Sequence, residues 1–159
     1  MPLTTFLAVL LLAAAPASTP AAPEHFFVGR TEGAGTVDMA FSGRHKVRDH
    51  SRGRLDKSGA LILEQIVEEE GKPARRRSWR LARAGGNRIT GTISDAVGPV
   101  KGEIRGNVFH LKYRAREANA AVEQWITLHP NGRTASNRMV FRKFGLKVAT
   151  LDSTIRKLD

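Results

Sequence analysis

Cysteine is absent from all 159 residues, so an exported form of this chain has no disulfide and its core must hold the fold alone. The same absence removes a lipobox cysteine, and with it acyl anchoring of the lipoprotein kind. Aromatic residues are only 6% of the chain: one Tyr, two Trp and seven Phe. They are not interleaved with the basic residues as a stacking platform for single-stranded nucleic acid requires, and nucleic acid is not an expected partner. One long apolar run exists, Phe6 to Ala15. At about ten residues it is half the ~20 that a spanning helix needs. Motifs of catalysis are missing too, with no P-loop, no H-E-x-x-H and no nucleophile elbow. The five histidines, at 25, 45, 50, 110 and 129, show no metal spacing, and no metal or cofactor is expected.

The apolar run has the length of a secretory h-region and is followed by small residues and by prolines at 16, 20 and 23. Ala15-Pro16-Ala17 offers small residues for cleavage after Ala17. The expected organisation is a signal over 1–17, a flexible segment over 18–25 and one domain over 26–159, in the periplasm. A net charge of +11 gives that domain a basic surface. Its natural partners are acidic, an anionic membrane surface among them.

Beyond residue 24, turn signals recur roughly every ten residues, the spacing of an all-β sandwich or barrel. Helix is expected only as a short turn near Glu24–Phe27 and a weak one around Ala115–Ala121. Two hairpins can be registered from sequence. Gly106-Asn107 is a type I′ or II′ loop that sets Arg105 against Val108, Ile104 against Phe109 and Gly102 against Leu111. The glycines of SDAVGPVKGEIRGN therefore turn and bend strands rather than cradle phosphate. Asn131-Gly132 sets Leu128 against Ala135, Ile126 against Asn137, Gln124 against Met139 and Val122 against Phe141. Its opposite face puts Trp125 over Arg138, the arrangement of a cation–π pair. Further strands fall at Gly33–Phe41, Arg44–Asp56, Gly59–Glu69, Arg75–Ala84, Arg88–Asp95 and Leu146–Lys157. About ten strands in up-and-down order close most simply into a single antiparallel β-barrel.

Several stretches carry a family resemblance: FFVGRTEGAG, the Glu-rich segment ending at Gly71, RRSW, then D-x-V-G-P-x-x-G-E-x-x-G-N (Asp95 to Asn107) and N-R-x-x-x-x-K-F-G (Asn137 to Gly145). From about Phe26 to Leu158 the chain resembles the bacterial envelope family called domain of unknown function 3833. The resemblance implies export, often as a lipoprotein, and a lipocalin-like barrel, with no activity to carry over. This chain departs from the pattern in lacking the lipobox cysteine. It also reads Glu123-Gln124 where the family has an acidic pair, and Ser94-Asp95 where an acid precedes Ala96.

A barrel of this size can hold an apolar ligand. Asp95, Tyr113, Gln124, Trp125, Asn137 and Arg138 are the candidate ligand contacts. Asp95 reads first as a turn aspartate bonding nearby backbone N–H groups, and Gln124 and Asn137 read equally as amides that bond each other. Arg77 laid on Trp79 is expected to plug a barrel end. The resulting expectation is a non-catalytic carrier of a lipid or other hydrophobic molecule. Two alternatives stand beside it: a lipid isomerase or hydrolase with Asp95 or Glu64 as acid or base, and an envelope assembly factor.

Overall fold

The computed structural model describes residues 22–159. The run Phe6–Ala15, and the signal and cleavage site expected there, lie outside the described residues. A single turn of 3-10 helix, Pro23–Phe27, is followed by ten strands. They are β1 (Gly29–Met39), β2 (Gly43–Leu55), β3 (Leu61–Glu69), β4 (Arg75–Arg83), β5 (Arg88–Ile93), β6 (Val100–Arg105), β7 (Val108–Ala115), β8 (Ala120–Leu128), β9 (Thr134–Lys143) and β10 (Leu146–Lys157). Each strand pairs antiparallel with the next, and β10 returns to β1, from Thr31 opposite Lys157 to Met39 opposite Ala149. The barrel is closed, and no strand edge is left to recruit another chain.

Local pattern accounts for much of this. Along β8, Ala120, Val122, Gln124 and Ile126 are buried and the residues between them are not, the period-two signature of a half-wet strand. The β8–β9 pairing matches the expected register at all four positions. The β6–β7 pairing does so from Arg105–Val108 to Gly102–Leu111. Gly106 has φ 56° and Asn107 is not among the positive-φ residues, which makes that loop type II′. The weak helix around Ala115–Ala121 does not form. Residues 116–119 are the β7–β8 turn, with Asn119 at φ 45°, because both flanking runs are claimed by the ladder.

The chain enters through one end of the barrel. Phe26 and Phe27 are buried there, and Phe27 meets Phe109 edge-on with ring centroids 5.6 Å apart. With Leu61, Leu63, Leu81, Ile89, Ile104 and Ile126 they form the main apolar core. Gly53 makes room for this plug: a Cβ there would sit 1.9 Å from the Phe27 carbonyl oxygen. Lys157 Nζ donates to the Phe26 carbonyl at 3.2 Å, and Arg83 pairs with Glu24. A smaller apolar cluster, Val37, Val47, Val67 and Ala149, lies toward the other end. No helix among the described residues is long and apolar enough to cross a membrane.

Candidate functional site

Between the two apolar clusters the interior turns polar. On β1 to β3 the inward positions are Thr31, Asp49, Ser51 and Gln65, with Thr31 opposite Ser51 and Ser51 opposite Gln65. Across the barrel, β8 to β10 contribute Gln124, Asn137 and Ser153. Buried polar groups must find partners, and most here do. Asp49 Oδ2 accepts from Gln65 Nε2 at 2.9 Å and from Ser51 Oγ at 3.4 Å. Gln65 Oε1 accepts from Trp79 Nε1 at 3.0 Å. On the far wall Gln124 Nε2 donates to Asn137 Oδ1 at 2.8 Å, and Asn137 Nδ2 donates to Ser153 Oγ at 3.1 Å.

Asp49 is the unusual member. It lies over Gly33, where a Cβ would fall 2.0 Å from the carboxylate, so the glycine is what admits the acid to the interior. Burial pushes its carboxyl above the ordinary aspartate range, against the hydrogen bonds from Gln65 and Ser51. On the opposite wall Gln124 Oε1 is buried with no partner. Between the walls is a cavity of about 60 Å³, lined by both polar groups and by Phe27, Leu61, Leu63, Trp79, Leu81, Phe109, Leu111, Ile126 and Ile155. The volume is well below the ~300–1,000 Å³ of common small-molecule sites. It suits a polar group and its near neighbours, and a longer ligand must displace side chains such as Phe27.

Arg77 lies over the Trp79 ring at 5.0 Å and pairs with Asp95 at 2.9 Å. Tyr113 meets Trp79 edge-on with centroids 5.7 Å apart. Its hydroxyl is buried beside Arg77 with no hydrogen-bond partner, and burial pushes the phenol up. Asp95 is thus the counterion of a nearly buried arginine. Glu64 points out of the barrel and is exposed.

Trp125 and Arg138 lie on the outer wall. The expected cation–π pair between them is not formed. Trp125 stacks on the His110 ring instead, with centroids 5.0 Å apart and planes 9° from parallel, and Arg138 Nη1 donates to both oxygens of Asp152, at 2.8 and 2.9 Å. The reason is competition from the other cross-strand neighbours, since His110 is opposite Trp125 on β7 and Asp152 is opposite Arg138 on β10. Glu123 joins His110, Lys112 and Arg142 on the same wall. Partial burial works against its charge, but the His110 hydrogen bond and the two cations hold its carboxyl below the usual range. The outer wall of β1 to β3 carries open grooves, the larger about 610 Å³, lined by Arg30, Arg52, Arg54, Glu64 and Asp159.

The structure therefore brings Gln124 and Asn137 together at the cavity and sets Arg77, Trp79, Tyr113 and Asp95 as a second cluster beside it. Asp49, Ser51 and Gln65 are the residues sequence reasoning missed. A signal was present: in RHKVRDHSRGRL every outward position from Arg44 to Arg54 is basic or His, which leaves Asp49 as the lone acid on the inward set.

The family model described as Protein of unknown function (DUF3833) matches residues 7–157. The chain belongs to this family. For this member of the domain of unknown function 3833 family, the solved S-type phycobiliprotein lyase CPES from Guillardia theta is similar in fold. The TM-score is 0.66 over 86% of this chain and 91% of that one, at 10% identity. Identity that low speaks for the lipocalin-like barrel and not for shared chemistry. No curated protein matches the chain.

Proposed function

We propose that this protein is a non-catalytic, lipocalin-like binder whose barrel interior takes a mostly apolar molecule by one polar end. The observation that carries this reading is Gln124 Oε1, buried and unpaired at the rim of a cavity whose opposite wall holds Asp49. An unmet buried acceptor costs about 1–3 kcal/mol, which a ligand recovers by donating to it. Both atoms accept, so the polar end is a donor: a hydroxyl, an amide N–H or an ammonium group. The apolar remainder lies toward Phe27, Phe109 and Ile126. The reading includes export to the periplasm, supported by the Phe6–Ala15 run and the small residues after it.

The test is native mass spectrometry of protein purified gently from its own host, followed by organic extraction. A reproducible hydrophobic adduct that disappears in Gln124→Leu supports the reading. An empty protein that also fails to bind a fluorescent fatty alcohol overturns it. A second reading rests on Asp49 alone. A buried carboxyl with a raised pKa is the usual form of an acid or base catalyst. Asp49→Asn, which keeps an acceptor oxygen, separates the two: a binder of a hydroxyl or amide N–H keeps its ligand, and an enzyme loses turnover.

A further inference from the structure

Four large apolar residues among those described are more than half exposed: Phe144, Phe41 (99%), Leu146 and Val97. All four lie at the barrel end opposite the Phe26–Phe27 plug. Phe41 tips the β1–β2 turn, Val97 lies in the β5–β6 loop, Phe144 opens the β9–β10 turn and Leu146 is the first residue of β10. The two phenylalanine tips are neighbours, since β1 pairs with β10 and Ala40 N donates to Val148 O at 3.0 Å beside them.

Phe144 is also strained. It occupies the first position of a two-residue hairpin at φ 50°, followed by Gly145 at φ 77°. A turn of this type favours Asn, Asp or Gly at that position, and a bulky side chain there is a rare exception. Nothing in the fold offsets the strain, because the ring touches no core. Lys143 and Lys147 flank the turn, both exposed, and Arg44, paired with Asp38 at 3.2 Å, is at the foot of the adjacent hairpin. No acid occurs from Val140 to Leu151.

We propose that this end of the barrel docks on an anionic lipid bilayer. Phe41, Phe144 and Leu146 enter the boundary between headgroups and acyl chains, and Lys143, Lys147 and Arg44 stay at headgroup level. The β1–β2 and β9–β10 tips, which offer Phe41, Phe144 and Leu146 beside Lys143 and Lys147 on the side of this end away from Glu117, are separate and convex and fit a deformable lipid surface. They do not make the ~800 Å² complementary face that a stable protein partner needs. The docking holds whatever the barrel carries inside.

The test is co-sedimentation with vesicles of phosphatidylglycerol and phosphatidylcholine in equal parts, and with phosphatidylcholine alone. The wild-type protein sediments with the anionic vesicles only. F41S/F144N lowers that affinity on the order of tenfold or more, and K143Q/K147Q weakens it by a smaller factor with a shallower salt dependence. Asn-Gly suits the turn, so the double variant stays folded and melts no lower than wild type. In F144W the new indole emission shifts to the blue on addition of anionic vesicles. Three outcomes overturn the proposal: no anionic preference, equal sedimentation of F41S/F144N, or a solution dimer that the same double variant dissolves.

Discussion

At the plug end the hairpin tips are tied down by their own polar side chains. Asp56 Oδ1 accepts from Ser58 N at 2.8 Å and Ala60 N at 3.0 Å, and Asn131 Oδ1 accepts from Arg133 N at 2.8 Å and Thr134 N at 3.0 Å. Asn107 Nδ2 donates to Leu128 O at 2.8 Å, linking two hairpins. The far end has Phe41 and Phe144 at two of its tips, and Phe144 adopts a backbone geometry its side chain disfavours. One end of the same barrel thus follows local turn preference and the other departs from it. Departures of this kind concentrate at working surfaces, which directs attention to the far end for contacts and to the interior for binding.

Substitutions at the two ends should part in sign. The largest effect is expected from Phe109→Ala, which removes a ring 1% exposed that the plug packs on. A loss of about 3–5 kcal/mol in urea unfolding is expected, and a loss below about 1 kcal/mol would mean that the plug is not part of the core. Next comes Gly53→Ala, whose new methyl collides with the Phe27 carbonyl. Overpacking of this sort costs about 1–3 kcal/mol, and hydrogen exchange should quicken in residues 23–28 before the strands respond.

Asp49→Asn tests the interior between the ends. Burial raises the Asp49 pKa, so ionisation costs the folded state more than the unfolded one. The stability linked to this group is full below the unfolded pKa and is lost as pH rises through the folded one. Asparagine keeps an acceptor for Gln65 without the charge. The variant should match wild type at acid pH and exceed it at neutral pH, read as a higher urea midpoint at neutral pH alone. Equal gains at both pH values would show that Asp49 does not titrate as a buried acid. The smallest effect is the most pointed. Phe144→Asn relieves the left-handed residue and should raise stability by about 1 kcal/mol, read as a higher melting temperature. A far-end tip that stabilises when its large apolar residue is removed is one retained for contact rather than for folding.

Much of the barrel was legible in the chain because period-two alternation is local. HLKYR and AVEQWITL declare their inner faces, and Gly106-Asn107 and Asn131-Gly132 set the registers that the ladders show. β2 was less readable. His45, Asp49 and Ser51 face inward while Arg44, Lys46 and Arg48 face outward, so neither face is apolar and the buried acid is masked. Phe41 and Phe144 mislead in the opposite direction, since nothing in their composition separates a tip residue from a core residue.

By itself the sequence determined ten short strands, their hairpin partners and which side of most strands is dry, all set by contacts between residues near in the chain. Only the tertiary structure decided that β1 closes on β10, that Gln124 faces Asp49 across a cavity, that Trp125 goes to His110 rather than Arg138, and that two phenylalanines share one exposed end. These depend on the curvature and shear of a closed sheet, which bring together positions many strands apart and which no local period records.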